Sequence, residues 1–122
     1  MMGLLQAQVN NGSGAQIEQS TDATVTFSND STEIDASFDN NKWLWFSIYG
    51  QAVGTYPLAQ SGNISIYNSS TNTEYFATNG TIIFSTLDKA AKKITGTFDN
   101  MKLVSQTGDS VIITNGTFNI DN

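Results

Sequence analysis

Both tryptophans of the chain fall in one short segment, Lys42-Trp43-Leu44-Trp45-Phe46-Ser47-Ile48-Tyr49. In a β-strand, successive side chains point to opposite faces. Leu44, Phe46 and Ile48 then share one face, and Trp43, Trp45, Ser47 and Tyr49 share the other. A strand in a two-layer protein buries one face against the facing layer. The Leu/Phe/Ile row has the composition of a core row. That leaves Trp43, Trp45 and Tyr49 as a candidate ligand-binding stripe. Aromatic rings in a row stack on the C–H faces of sugars or anchor a peptide partner. The alternative is a satellite cluster, with the stripe covered by the N-terminal segment or by the 50–62 loop.

Residues suited to catalysis are few. The chain contains no His and no Cys. That removes the usual general base, the thiol nucleophile, disulfides and zinc sites. A glycosidase needs two carboxyl groups roughly 5–10 Å apart in a cleft. Glu33 and Asp35 share a face, but that face is a wet one. Asp22, Asp30, Asp39, Asp99 and Asp121 sit near turns, which Asp favours without any catalytic role. Phosphate loops and nucleophile-elbow sequences are absent. The chain reads as non-enzymatic, with no cofactor. Calcium is the one metal whose oxygen ligands are present, around Asn29-Asp30-Ser31 with Glu33 and around Asp39-Asn40-Asn41.

Charge narrows the partners. Five lysines stand against eleven acidic residues, a net charge of −6. Nucleic acid is excluded, because phosphate binding needs clustered Lys or Arg. The one basic cluster, Lys89 to Lys93, suits a solvated turn. No apolar run is long enough to span a bilayer as a helix.

The elements that must position the aromatic stripe show period-2 patterning. Val25 and Phe27 alternate with Thr24 and Thr26, Ile34, Ala36 and Phe38 with Glu33, Asp35 and Ser37, and Ile94 and Phe98 with Thr95 and Thr97. One apolar and one polar row per segment is the mark of antiparallel strands with a wet face. Asn-Gly pairs at 11–12, 79–80 and 115–116 are the strongest short hairpin signals, and Asn- and Asp-rich turns lie between the segments. The pattern predicts strands over 4–9, 23–28, 32–38, 43–49, 63–68, 73–78, 81–87, 93–99, 101–105 and 110–119, with a bulge or bend at Gly116. Pro57 marks a loop or an edge strand. Asp88 to Lys92 is the one place for a helical turn. The fold class is therefore all-β, an antiparallel β-sandwich of about eight to ten strands, with a closed antiparallel barrel as the alternative. A chain of 122 residues fits one domain, 1–122. Residues 1–14 form an N-terminal strand able to detach at Gly12-Ser13-Gly14.

The order of short segments carries a resemblance. Gly54-Thr55-Tyr56-Pro57-Leu58 precedes Gly80-Thr81-Ile82, then Ile94-Thr95-Gly96-Thr97-Phe98, then Ile113-Thr114-Asn115-Gly116-Thr117-Phe118. Over about 43–119 this resembles a family of small lipoprotein-like β domains of unknown function from Bacteroidota. The resemblance implies an exported sandwich-like domain at the surface or in the periplasm of a Gram-negative bacterium. It carries over no catalytic residue. Met1 to Leu5 is too short for a signal peptide, so the expectation is a mature domain without its export signal, the alternative being a cytoplasmic protein. Two functions follow. One is a binding module for a glycan or peptide through Trp43, Trp45 and Tyr49. The other is an assembly subunit joining neighbours through sheet edges.

Overall fold

The computed structural model describes residues 2–12, 14–38 and 41–121. The strands are β1 (Met2–Asn10), β2 (Ala15–Ser20), β3 (Thr24–Ser28), β4 (Ser31–Phe38), β5 (Lys42–Tyr49), β6 (Gly54–Pro57), β7 (Gly62–Asn68), β8 (Thr73–Ala77), β9 (Thr81–Asp88), β10 (Lys93–Asp99), β11 (Met101–Val104) and β12 (Ser110–Asp121). A single helical turn, α1 (Leu58–Ser61), links β6 to β7. The fold is all-β and sandwich-like, and all its ladders are antiparallel.

One path of neighbours runs β3-β4-β5-β7-β8-β11-β12-β10-β9-β6, with β1 on the other side of β12 and β2 beyond β1. The long strand β12 is the corner. Its first half pairs with β11 and its second half with β10. The chain bends where the two layers part. Asn100, between β10 and β11, and Asn115, in β12, both take left-handed backbone, with φ of 59° and 53°. Asn tolerates that region better than most residues. The Asp99 carboxylate accepts from the N–H of Asn100 (2.9 Å) and of Asn115 (3.1 Å), fastening one bend to the other. β1 follows the same corner through an irregularity between Gln6 and Gln8.

Between the layers lies a relay of aromatic rings. Phe46 of β5 meets Phe98 of β10 edge-on at 5.0 Å, and Phe98 stacks on Phe118 of β12 at 6.3 Å. Phe84 of β9 meets Phe118 and Tyr56 of β6 at 5.7 and 5.5 Å. Two glycines make room. A side chain at Gly116 would overlap the Phe98 ring, and one at Gly96 would overlap the Ile83 carbonyl and the Phe118 ring. Leu44, Ile48, Ile64, Ile82, Ile94 and Ile120 complete a closed apolar interior.

Of the Asn-Gly pairs, 11–12 joins the paired strands β1 and β2, whereas 79–80 links β8 to β9, which are not neighbours, and 115–116 lies inside β12 at its corner, where left-handed Asn115 bends the strand instead of reversing it. Three further differences from the sequence expectations have physical reasons. Asp88 to Lys92 forms a hydrogen-bonded turn, not a helical one. The Asp88 carboxylate accepts from Ala91 N–H at 3.0 Å, and Lys92 is left-handed with φ 53°. The helical turn stands instead at Leu58–Ser61, where buried Leu58 donates its N–H to Gly80 O at 2.9 Å. Residues 15–20, given no strand by the pattern, form β2 along β1. Pro57 does sit on an edge strand, since β6 pairs with β9 alone. The turn and calcium candidate at Asp39-Asn40 lies outside the described residues.

The ring relay sets two expectations. Phe98→Ala should lower stability by about 3–5 kcal/mol, the range for losing a buried aromatic. Gly116→Ala should cost roughly 1–3 kcal/mol through overpacking against the same ring. Urea unfolding of each variant checks both; a neutral result for Gly116→Ala would show that the ring has room to move.

Candidate contact surface

Strand β5 divides its residues as alternation requires. Leu44, Phe46 and Ile48 are buried, while Trp43 and Tyr49 stand 46% and 68% exposed and Trp45 is half-buried. The outer row then extends sideways through the ladder register. Trp45 lies opposite Asp35 of β4 and Ser65 of β7, Ser65 opposite Phe76 of β8, and Phe76 opposite Val104 of β11. One row further along, Trp43 lies opposite Tyr67 of β7, and their rings stack at 6.0 Å with 25° between planes. Tyr67 donates its hydroxyl to the Asn72 side chain at 2.7 Å, which fixes the ring. Tyr67, Phe76, Val104 and Ile112 of β12 are all exposed.

The structure thus gathers Trp43 and Trp45 on one platform and separates Tyr49 from them. Tyr49 lies four residues from Trp45, about 13 Å along an extended strand, and its hydroxyl reaches the Asp30 carboxylate at 3.5 Å. The covering segments considered from sequence run elsewhere: β1 lies between β12 and β2, and β6 pairs with β9. Tyr67, Phe76 and Val104 complete the platform and were not identified by the sequence reasoning. They lie on the wet phase of their strands, but only the strand order brings them beside Trp43 and Trp45.

Carboxylates flank the rings. A shallow hollow of about 190 Å³ lies against Trp43 and Trp45, with Asp22 and Asp35 in its lining. A wider hollow of about 710 Å³ lies beyond β7, against Tyr67, Phe76 and Val104, with Glu74 at its edge. Burial pushes the Asp35 carboxyl above its ordinary value of 3.8, and the Glu33 charge on the same face adds to the effect. Asp22 is pulled the other way. Its Oδ1 accepts the Ser20 hydroxyl at 2.6 Å and the Ser37 N–H at 3.1 Å, which holds its pKa below 3.8. Asn63 shares the outer phase of β7, and its buried Oδ1 accepts from no group among the described residues.

Other candidate chemistry is thinner. Glu33 and Asp35 do share the outer face of β4, as alternation requires. Asp30 takes the Tyr49 hydroxyl, and no group of three acidic side chains suited to a metal ion gathers among the described residues. A cavity of about 70 Å³ near Phe38 and Tyr75 contains Glu18 and Lys42, paired at 3.3 Å. No helix of the described residues is long and apolar enough to cross a membrane.

The two aspartates predict opposite pH responses. Asp22 has a depressed folded pKa, so its stabilisation is present above 3.8 and is lost as pH falls through the folded value. Asp35 has a raised one, so it destabilises the folded state above that value and the penalty is relieved as pH falls through it. Asp35→Asn should therefore raise stability at neutral pH, while Asp22→Asn should lower it. Thermal unfolding of both variants across the acid range checks the signs; equal shifts in one direction would contradict them.

The comparisons with curated proteins and with solved structures returned no match. The model of the domain of unknown function DUF6252 matches residues 3–120, nearly the whole described fold from β1 to β12 and the entire aromatic platform. The chain belongs to the DUF6252 family.

Proposed function

We propose that this protein is a non-catalytic, lipoprotein-like domain of the cell exterior, and that it binds a partner through the outer face of β5, β7, β8 and β11. The observation that carries the reading is the platform of Trp43, Tyr67, Phe76 and Val104, exposed together on one sheet face. Single exposed apolar residues are ordinary, but contiguous ones with a polar rim mark interaction sites. The inner face of the same strands already contains the core, so the outer rings have no packing role to account for them. Absence of His and Cys from the chain supports the non-catalytic part. A sparsely charged, Asn-, Ser- and Thr-rich surface supports the exported setting.

A second reading, assembly through a sheet edge, is favoured by one observation. Strand β2 pairs with β1 alone, and Ile17 on it is 61% exposed. An unpaired strand edge is a template for another chain. Concentration-dependent mass in sedimentation, abolished by Ile17→Lys, would favour this reading over the first.

The test of the first is a glycan and peptide array probed with the wild type and with the Trp43→Ala/Phe76→Ala double variant. Both positions lie on the outer face, so stability should fall by about 1–2 kcal/mol, the lost Trp43–Tyr67 stack included, and the variant stays folded. A ligand kept by the wild type and lost by the folded variant supports the platform. Ligands bound equally by both would place the contact elsewhere.

A further inference from the structure

We propose that the Trp43–Trp45 end of this surface takes a basic segment of a partner protein, a Lys or Arg side chain seating its cation on a tryptophan ring beside the Asp35 carboxylate. The inference rests on the contact-surface reading above and adds the chemistry of the occupant. Charge selects that occupant. Asp35 lies directly opposite Trp45, and Glu33 follows two residues away on the same face of β4. Asp22 and Asp35 both line the hollow against the two tryptophans. On the far side Glu74 lies opposite Tyr67.

The lysines are placed elsewhere. Lys42 pairs with Glu18 at 3.3 Å in the small cavity. Lys89 and Lys92 lie in the turn between β9 and β10, and Lys93 begins β10. Lys102 shares the outer phase of β11 with Val104, beyond Phe76, and its register partner is Ile112. The tryptophan end therefore presents ring faces and carboxylates with no lysine between them.

Ring faces and carboxylates both attract cations. A guanidinium suits the site best, being planar, weakly hydrated and able to stack on a ring while its fork meets a carboxylate. An arriving cation also offsets the like charge that Glu33 imposes on Asp35. A neutral sugar would supply hydroxyl donors but leave the carboxylate charges facing each other uncompensated. That favours the basic segment over the glycan.

The test is a titration of the whole chain with a synthetic Gly-Ser peptide carrying spaced arginines, followed by tryptophan emission. The same peptide with glutamate in place of arginine, and a neutral cello-oligosaccharide, are run beside it. The arginine peptide should shift the emission, and its affinity should fall as salt rises. Asp35→Asn should weaken it roughly tenfold, as the loss of one hydrogen bond to a charged group does. Glu33→Gln, at a neighbouring surface site, should weaken it in the same direction and guards against a fault peculiar to one variant. No emission change with the arginine peptide overturns the proposal, and so does binding indifferent to both salt and Asp35→Asn. A response to the oligosaccharide alone overturns it too, while leaving the contact surface standing. Failure of the surface itself is distinguishable: peptide binding would then survive Trp43→Ala with Phe76→Ala.

Discussion

The contact on which the rest of the structure depends is the edge-on meeting of Phe46 and Phe98 at 5.0 Å across the two layers. Phe46 belongs to the layer that carries the candidate surface, Phe98 to the layer that closes over it. Behind Phe98 the relay continues through Phe118 and Phe84 to Tyr56, so five strands share one chain of rings. Aromatic pairs in these geometries add about 0.5–1.5 kcal/mol each beyond their area burial. The relay needs space at Gly96 and Gly116, and it needs the corner that Asn100, Asn115 and Asp99 build. Backbone conformation and ring packing are thus one constraint seen from two sides.

That constraint has a consequence for function. Strands β4, β5 and β7 are held from within, because Ile34, Leu44, Phe46, Ile48 and Ile64 are fully enclosed. Their outer side chains are positioned by register and contribute little to holding the layers together. Trp43 and Tyr67 stack on each other with the tyrosine hydroxyl tied to Asn72, so these two rings hold each other in place. A preorganised surface loses less side-chain freedom on binding. Asp35, exposed on the outer face of β4, has its carboxyl pushed above its ordinary value by partial burial and by the neighbouring Glu33 charge.

Much of this was legible from the residues. The alternation in Leu44, Phe46 and Ile48 against Trp43, Trp45 and Tyr49 gave the two faces of β5 correctly, because a half-buried strand has a strict period of two. The Asn-rich turns stood where left-handed backbone is needed, at Asn29, Asn72 and Asn100. Strand β2 escaped because its pattern is inverted: Glu18 and Ser20 are buried while Ile17 points outward. Strand β6 is short and ends in proline, so its pairing with β9 leaves little trace. The alanines between Asp88 and Lys92 favour helix, but five residues cannot outweigh the tight hairpin of β9 and β10. The platform itself was half visible. Trp43 and Trp45 are neighbours by alternation, whereas Tyr67, Phe76 and Val104 join them through the order β5-β7-β8-β11, which no local pattern encodes.

An open, carboxylate-flanked aromatic platform on the outer face leaves its tryptophan reachable by quenchers and selective for their charge. In a Trp45→Phe variant, Trp43 is the sole tryptophan. Its emission would be followed under neutral acrylamide, caesium and iodide at matched ionic strength. Exposure beside Asp35 and Asp22 predicts red-shifted emission, ready quenching by acrylamide, and, each relative to free N-acetyltryptophanamide, stronger quenching by caesium than by iodide. Blue-shifted emission that acrylamide barely reaches, or iodide matching caesium, would contradict it.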